Sequence, residues 1–106
     1  MVKRGEIWLV NLDPIVGSEI RKTRPCVVIS PPEMEDYLRT AIIAPMTTGS
    51  HPAPFRISIR HGGKQGLILL DQIRTVDKRR LVKRAGAISP AALRSTLAAL
   101  AEIFAE

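Results

Sequence analysis

Short strand-like runs separated by turn signals are the feature that most constrains the fold of this chain. Apolar or alternating runs recur through most of the sequence, and Pro, Gly or polar turn residues bound each of them. The predicted strands are Ile7–Leu12, Cys26–Ile29, Thr40–Pro45, Phe55–Arg60, Leu67–Leu70, Ile73–Val76 and Leu81–Ile88. Several short strands with frequent turns favour a barrel or a sandwich.

The period of the pattern changes at the C-terminal end. Ser89 is a good N-cap, and Pro90 follows at the first helical position, where its missing N–H costs nothing. The apolar face of the predicted helix consists of Leu93, Leu97, Leu100 and Phe104, with Ile103 beside it. A single helical turn is predicted between Glu33 and Arg39, and polar turns over 47–54 and 61–66.

Chain length and cysteine content limit the architecture further. The 106 residues predict a single domain, 1–106, with no room for a second core. We expect no membrane span and no signal peptide, because no apolar stretch approaches the roughly 20 residues that a bilayer requires. The lone Cys26 excludes an intrachain disulfide and a thiolate metal cluster, and we expect it to be buried. These features predict a cytoplasmic protein.

The charge distribution favours a polyanionic partner. The net charge is +6, and residues 56–86 hold nine cations against two acids. Such a surface suits nucleic acid, although a solubilising surface is the alternative that charge by itself leaves open. Only four aromatic residues are present, which is few for a single-strand binder built on stacked aromatic platforms.

The polar connection from residue 13 to residue 25 is the most promising place for chemistry. It is long for a hairpin, and long connections in small domains are often functional. Arg24 near its end precedes Pro25, which favours extended backbone at the arginine. A guanidinium there suits bidentate contact with a phosphate, and a solvated surface arginine is the alternative. The hydroxyls of Thr47 and Thr48, just after a strand, are similar candidates.

Other catalytic patterns are weak. We expect no metal, because His51 and His61 lie in separate predicted turns without a partner at ligand spacing. An acid–base pair of these histidines would require the fold to bring the two turns together; otherwise they are ordinary polar turn residues. Cys26 has no base nearby in sequence, and no phosphate-binding glycine loop is present.

Five short motifs together resemble the MazF/PemK family, the toxins of bacterial type II toxin–antitoxin pairs. The motifs are Gly5-Glu6-Ile7-Trp8, Asp13-Pro14 with Gly17-Ser18-Glu19, Thr23-Arg24-Pro25 with Val27-Val28-Ile29-Ser30, Pro45-Met46-Thr47-Thr48, and Leu70-Asp71-Gln72-Ile73-Arg74. Each is weak alone, but they occur in the family's order and spacing over nearly the whole chain.

The resemblance implies a mainly β, SH3-like antiparallel barrel with a C-terminal helix, which forms a homodimer. It also implies a metal-independent and cofactor-free endoribonuclease that cuts single-stranded RNA at a short sequence. The family's catalytic arginine and threonine correspond to Arg24 and Thr47, with Thr48 adjacent and Glu19 beside the site. The partner would be an acidic antitoxin whose disordered tail folds on binding.

In that chemistry the RNA 2′-OH attacks the adjacent phosphate and leaves a 2′,3′-cyclic phosphate and a 5′-OH. Arg24 would stabilise the anionic transition state, while the proton acceptor stays open between Glu19, water and a perturbed Arg24. The predicted RNA-binding residues are Ser18, Arg21, Lys22, Ser50 and His51 for bases, and Arg74, Lys78, Arg79 and Arg80 for phosphates. The rival functions are a gyrase poison of the CcdB type and a noncatalytic RNA-binding barrel.

Overall fold

The computed structural model describes residues 2–12, 23–49 and 51–106, and within these ranges the chain forms seven strands. The strands are β1 (Glu6–Asn11), β2 (Thr23–Val28), β3 (Thr40–Thr47), β4 (Arg56–His61), β5 (Lys64–Leu69), β6 (Arg74–Asp77) and β7 (Leu81–Ala87). The helices are α1 (Pro32–Tyr37) and α2 (Pro90–Ile103), with 3-10 turns at Leu70–Gln72 and Lys78–Arg80. None of the helices in these ranges has the length and apolar character that a membrane crossing needs.

The described strands form one antiparallel sheet in the order β4-β5-β3-β2-β1-β7, with β6 paired to β3. Neighbours in the sheet are often distant in sequence, since Ile7 of β1 pairs with Gly86 of β7. The sheet curls into a half-barrel, and α2 follows as the C-terminal helix. The predicted mainly β, antiparallel fold with a C-terminal helix is therefore confirmed.

Two apolar clusters cover the two faces of the sheet. Val27 belongs to the cluster that packs against α2, while its neighbours Cys26 and Val28 belong to the other cluster. All three side chains are fully buried. Successive residues of a strand point to opposite faces, so the Cys26–Val28 half of β2 is covered on both sides and is continuously apolar.

The hairpin between β4 and β5 is tighter than the sequence predicted. The predicted turn over 61–66 is wrong, because His61 and Lys64 pair across a two-residue loop. Gly62 and Gly63 form that loop with φ of +60° and +76°, which glycine adopts without steric cost. As a consequence His61 belongs to a strand, and its side chain has a direction fixed by the sheet.

Helix α2 begins as predicted, and its predicted apolar face is right in part, since Leu93, Leu97 and Leu100 are partly buried. The Ala92 N–H donates to the Ser89 hydroxyl at 3.0 Å, which confirms the N-cap. Thr96 is fully buried and donates its hydroxyl to the Ala92 carbonyl at 2.8 Å. Phe104, which the sequence placed on the apolar face, is 71% exposed. Small side chains at Ala92 and Ala99 let the helix approach the sheet closely, so they form the contact together with Leu100.

Glu6 joins the first strand to the last through a set of hydrogen bonds. One carboxylate oxygen accepts from the Trp8 indole at 3.1 Å and from the Lys3 N–H at 2.8 Å. The other accepts from the Arg84 guanidinium of β7 at 2.8 Å. Burial raises the pKa of Glu6, but the hydrogen bonds from Trp8, Lys3 and Arg84 outweigh it, and the net pKa lies below its usual value.

We expect Glu6→Gln to lower the free energy of unfolding by about 2 kcal/mol at pH 7, because three donors lose a charged acceptor. A carboxyl with a lowered folded-state pKa contributes stability above its unfolded-state pKa and loses it as the pH falls. The difference from wild type should therefore shrink below about pH 4. Urea unfolding at pH 7 and at pH 3 measures both values. Glu102→Gln, at an exposed position of α2, is the matched control. A difference that persists unchanged at low pH would contradict this account.

Cys26 is fully buried, as predicted, and its thiol donates to the Arg24 carbonyl at 3.6 Å. Burial raises the pKa of this thiol to about 12, while the guanidinium groups of Arg74 and Arg24 act in the opposite direction.

We expect a disulfide reagent at pH 8 to react with Cys26 of the native protein at least about 100-fold more slowly than with Cys26 of protein unfolded in urea. Equal rates in the two states would show that the site opens readily.

Candidate functional site

A cleft of about 260 Å³ lies where β2 and β5 begin and β3 and β4 end. Its lining residues are Arg24, Pro25, Met46, Thr47, Thr48, Ile59, His61, Lys64 and Gly66. Met46 and Ile59 belong to the apolar cluster beneath α2, so the cleft opens directly above the core. The polar members come from four different strands or their ends and surround this apolar floor.

The strand register explains how Arg24 reaches this cleft. The pairing of β2 with β3 ends at Cys26 and Pro45, and Arg24 and Thr47 each lie two residues beyond that end, where both line the cleft. On its other side Arg24 pairs with Val10 of β1. Strand β2 begins at Thr23, three residues earlier than predicted, and this extension places Arg24 inside the sheet. A strand residue holds its guanidinium more firmly than a loop residue would.

Thr47 and Thr48 both line the cleft, but their surroundings differ. The Thr47 hydroxyl oxygen accepts from the Gly49 N–H at 3.2 Å, which leaves its O–H available to donate. Thr48 is exposed just beyond the end of β3. Gly66 keeps this corner open, because a Cβ there would lie 3.1 Å from the Thr47 carbonyl oxygen. The Thr47 side chain is therefore the better oriented of the two.

His61 and Lys64 also line the cleft, and the sequence did not predict this. The interpretation of His61 as an ordinary turn residue is corrected here, because the residue ends β4 and faces the same cleft as Arg24. The alternation Ile57–Ile59–His61 was the available signal, since it continues the buried face of β4 to the histidine. Lys64 pairs with His61 across the glycine turn.

The charges of the cleft favour an anion. Arg24 and Lys64 are its charged members, and its described lining contains no carboxylate. A guanidinium fork, an ammonium group and threonine hydroxyls together provide donors to several oxygens of one phosphate. The cleft is therefore suited to bind a phosphate group of a ligand whose apolar parts contact Met46 and Ile59.

The predicted phosphate-binding cations lie elsewhere, and much of the group already has contacts within the protein. Lys78 donates to the Glu35 carbonyl, Arg79 pairs with Asp77 at 3.0 Å, and Arg80 donates to the Asn11 carbonyl at 3.2 Å. Arg74 is exposed on β6. The four cations do not line the cleft, and their contact with RNA stays a prediction.

The remaining predicted site residues cluster in segments beyond the described ranges. Ser18, Glu19, Arg21, Lys22 and Ser50 all lie outside the described residues. His51 is exposed, and its backbone carbonyl accepts from Arg56 at 3.2 Å. Over residues 2–12, 23–49 and 51–106, no three His, Cys, Asp or Glu side chains come together as a metal site would require.

Comparison with known proteins agrees with the motifs. The family model described as "PemK-like, MazF-like toxin of type II toxin-antitoxin system" matches residues 3–104. The endoribonuclease MazF of Staphylococcus epidermidis is 38% identical, with 79% of this chain and 75% of that protein covered. The endoribonuclease EndoA of Bacillus subtilis is 39% identical, with 79% of this chain and 78% of that protein covered.

Solved structures support the same fold. MazF from Deinococcus radiodurans has a TM-score of 0.80 at 23% identity, over 96% of this chain and 94% of that chain. A mycobacterial endoribonuclease in complex with its cognate antitoxin has a TM-score of 0.81 at 19% identity, over 96% and 93%. At such identities the likeness speaks for the fold alone. The family match, which spans nearly the whole chain, shows that the protein belongs to the PemK-like, MazF-like toxins of type II toxin–antitoxin systems.

Proposed function

We propose that this protein is a metal-independent endoribonuclease that cuts single-stranded RNA at a short sequence and so acts as the toxin of its pair. The observation that carries the proposal is that Arg24 and Thr47 line one cleft that holds two cations and, among its described residues, no carboxylate. Curated relatives at 38% and 39% identity are named endoribonucleases, which supports the same activity.

The chemistry that we propose uses the RNA's own 2′-OH as the nucleophile. The 2′-oxygen attacks the adjacent phosphorus, the bond to the 5′-oxygen breaks, and the products carry a 2′,3′-cyclic phosphate and a 5′-OH. Negative charge accumulates on the nonbridging oxygens in the transition state. Arg24 donates two parallel hydrogen bonds to those oxygens, and the Thr47 hydroxyl donates a third. Fixed donors above an apolar floor stabilise this charge more than water would.

We also propose the context in which the activity operates. The toxin works in the cytoplasm as a homodimer, residues 1–106 form one toxin domain, and an acidic antitoxin tail blocks the RNA site. The cationic cleft supports this partner, because a flexible acidic segment would be attracted to the same charges as RNA. We infer that Glu19 and the polar residues of 13–23 lie near the bound RNA, on the strength of the motif match alone.

One experiment tests the proposed function against its rivals. Purified protein is incubated with a long RNA in excess EDTA, and the new ends are mapped and typed. Discrete cuts that carry 5′-OH and 2′,3′-cyclic phosphate ends are the expected result. Intact RNA with a mobility shift would indicate a noncatalytic binder, and intact RNA with stalled gyrase would indicate a gyrase poison. Cleavage that EDTA abolishes would contradict a metal-independent mechanism.

A further inference from the structure

We propose that His61 accepts the proton of the attacking 2′-OH during RNA cleavage. This inference rests on the proposed function and adds the general base that the arginine–threonine pair does not supply. Its structural basis is that the imidazole lines the same cleft as Arg24 and Thr47.

Among the described residues that line the cleft, one side chain is a suitable proton acceptor. Arg24 and Lys64 carry only donors when charged, and the other lining residues are apolar or hydroxyl-bearing. A threonine hydroxyl accepts hydrogen bonds but holds an extra proton too weakly to act as a base. Histidine is the side chain that commonly transfers protons near neutral pH. Among the described residues, the lining is therefore rich in groups that stabilise a phosphate and contains one group, His61, that is suited to accept the proton of the 2′-OH.

The position of His61 is well determined by the fold. It is the last residue of β4, paired with Lys64 across the Gly62-Gly63 turn, and it follows the buried Ile59 on the same face of the strand. Its ring also lies against β7, because a Cβ on Gly86 would be 3.6 Å from the His61 Cε1 atom and 4.0 Å from Nδ1. The imidazole thus lies between β4 and β7, the two end strands of the main sheet path.

Three described strands contribute groups near the imidazole. Lys64 stands opposite on β5, Arg24 belongs to β2, and Gly86 is the β7 residue against the ring, two positions from Arg84, whose guanidinium is paired with Glu6. A general base needs a fixed position near the proton that it removes and access to the reacting atoms. His61 has both, because strand pairing and Gly86 fix the ring while the cleft leaves part of it open.

In the proposed step, His61 and a water molecule share the proton transfers. The 2′-OH proton moves to an imidazole nitrogen of His61 while the bond from the 2′-oxygen to phosphorus forms. The bond from phosphorus to the 5′-oxygen breaks, and that oxygen takes a proton from a water molecule. The imidazolium then returns its proton to the resulting hydroxide, so the enzyme and water are restored.

The first test is single-turnover cleavage at the mapped cut site, from pH 5 to pH 9, with His61→Ala and wild type. We expect a loss of about 100-fold or more at pH 8 and disappearance of the rise in rate that a histidine base produces with pH. Added imidazole should restore part of the activity to His61→Ala and none to Arg24→Ala. The Kd of His61→Ala for an RNA with a 2′-deoxy residue at the cut site, which cannot be cleaved there, should stay within about 3-fold of the wild-type Kd.

A second substrate tests whether His61 accepts a proton from the 2′-OH or donates one to the leaving group. An RNA with sulfur in place of the bridging 5′-oxygen has a leaving group that needs no protonation. The defect of His61→Ala should persist with this RNA, because attack by the 2′-OH still needs a base. Full recovery would show that His61 donates a proton to the leaving group, and it would overturn the proposal.

Other results would also decide against His61. A loss smaller than about 5-fold, or an unchanged pH profile, would show that another group accepts the proton. A loss of deoxy-RNA binding equal to the loss of rate would make His61 a binding residue. If Glu19→Gln removes the rise with pH while His61→Ala keeps it, the carboxylate is the base. Failure of wild type to cut RNA contradicts the proposed function, whereas wild-type cleavage with an active His61→Ala contradicts this inference alone.

Discussion

Arg24→Ala abolishes RNA cleavage in our expectation, while the protein still folds and forms its dimer. The guanidinium supplies fixed charge where the transition state becomes most negative, and removal of such a donor costs about 100- to 1,000-fold in rate. Arg24 is exposed and lines the cleft, so its truncation opens no cavity in the core. Cleavage of a labelled RNA in EDTA measures the loss, and thermal unfolding with size-exclusion chromatography verifies the fold and the dimer.

Two further variants define what Arg24 contributes. Arg24→Lys keeps the positive charge but loses the planar fork, so we expect it to retain only a minor part of the activity. Arg94→Ala removes another exposed cation, on α2 and outside the lining of the cleft, and this variant should cut RNA as wild type does. An Arg24→Ala protein with the wild-type rate would remove the basis of the proposed function. A parallel loss in Arg94→Ala would mean that net charge, and not position, controls cleavage.

Thr47→Val should lower the cleavage rate by about 100-fold, whereas Thr48→Val should change it much less. Valine matches the shape of threonine but lacks the hydroxyl, so the pair isolates the hydrogen bond. Thr47 is the oriented residue, because its oxygen accepts from the Gly49 N–H and its O–H is left to donate toward the cleft. Single-turnover rates of both variants at saturating protein give the comparison.

The outcome also settles which threonine corresponds to the family's catalytic one, which the motif leaves open by one position. A larger effect of Thr48→Val would move the phosphate to the outer edge of the cleft, where Thr48 is exposed. If both substitutions lower the cleavage rate only slightly, the two hydroxyls orient the chain after β3 and do not contact the reacting phosphate. Thermal unfolding of each variant separates a lost contact with RNA from a local change in the strand end.

The sequence predicted most strands and the start of α2 because alternation, turn residues and helix caps act between residues that are close in sequence. Alternation and turn residues located the strands to within a few residues, and the Ser89 cap set the start of α2. The predicted face of α2 was right at Leu100 and wrong at Phe104, because packing selected the small Ala92 and Ala99 instead. The turn at 61–66 was wrong because two glycines with positive φ suffice to reverse the chain.

The candidate site depends on distant contacts, which a sequence shows less directly. Arg24 and Thr47 were found through motifs of the family, and the pairing of β2 with β3 explains why both line one cleft. His61 was overlooked because the turn predicted over 61–66 removed it from β4, and its proximity to Gly86 of β7 depends on a strand distant in sequence. The run of basic residues likewise did not reveal the partners of Arg79 and Arg80. Arg79 forms an ion pair with Asp77, and Arg80 donates to the Asn11 carbonyl.

The pairing of β1 with β7 also has a consequence for synthesis of the protein. Ile7 acquires its partner only when Gly86 has been made, so the sheet cannot be completed while the ribosome is still translating the middle of the chain. At typical rates of about 5–20 residues per second, roughly 4–16 s separate the two strands. His61 needs the same late strand for its contact with Gly86. The sheet is therefore closed, and the His61 ring acquires its neighbour on β7, only when translation is nearly finished.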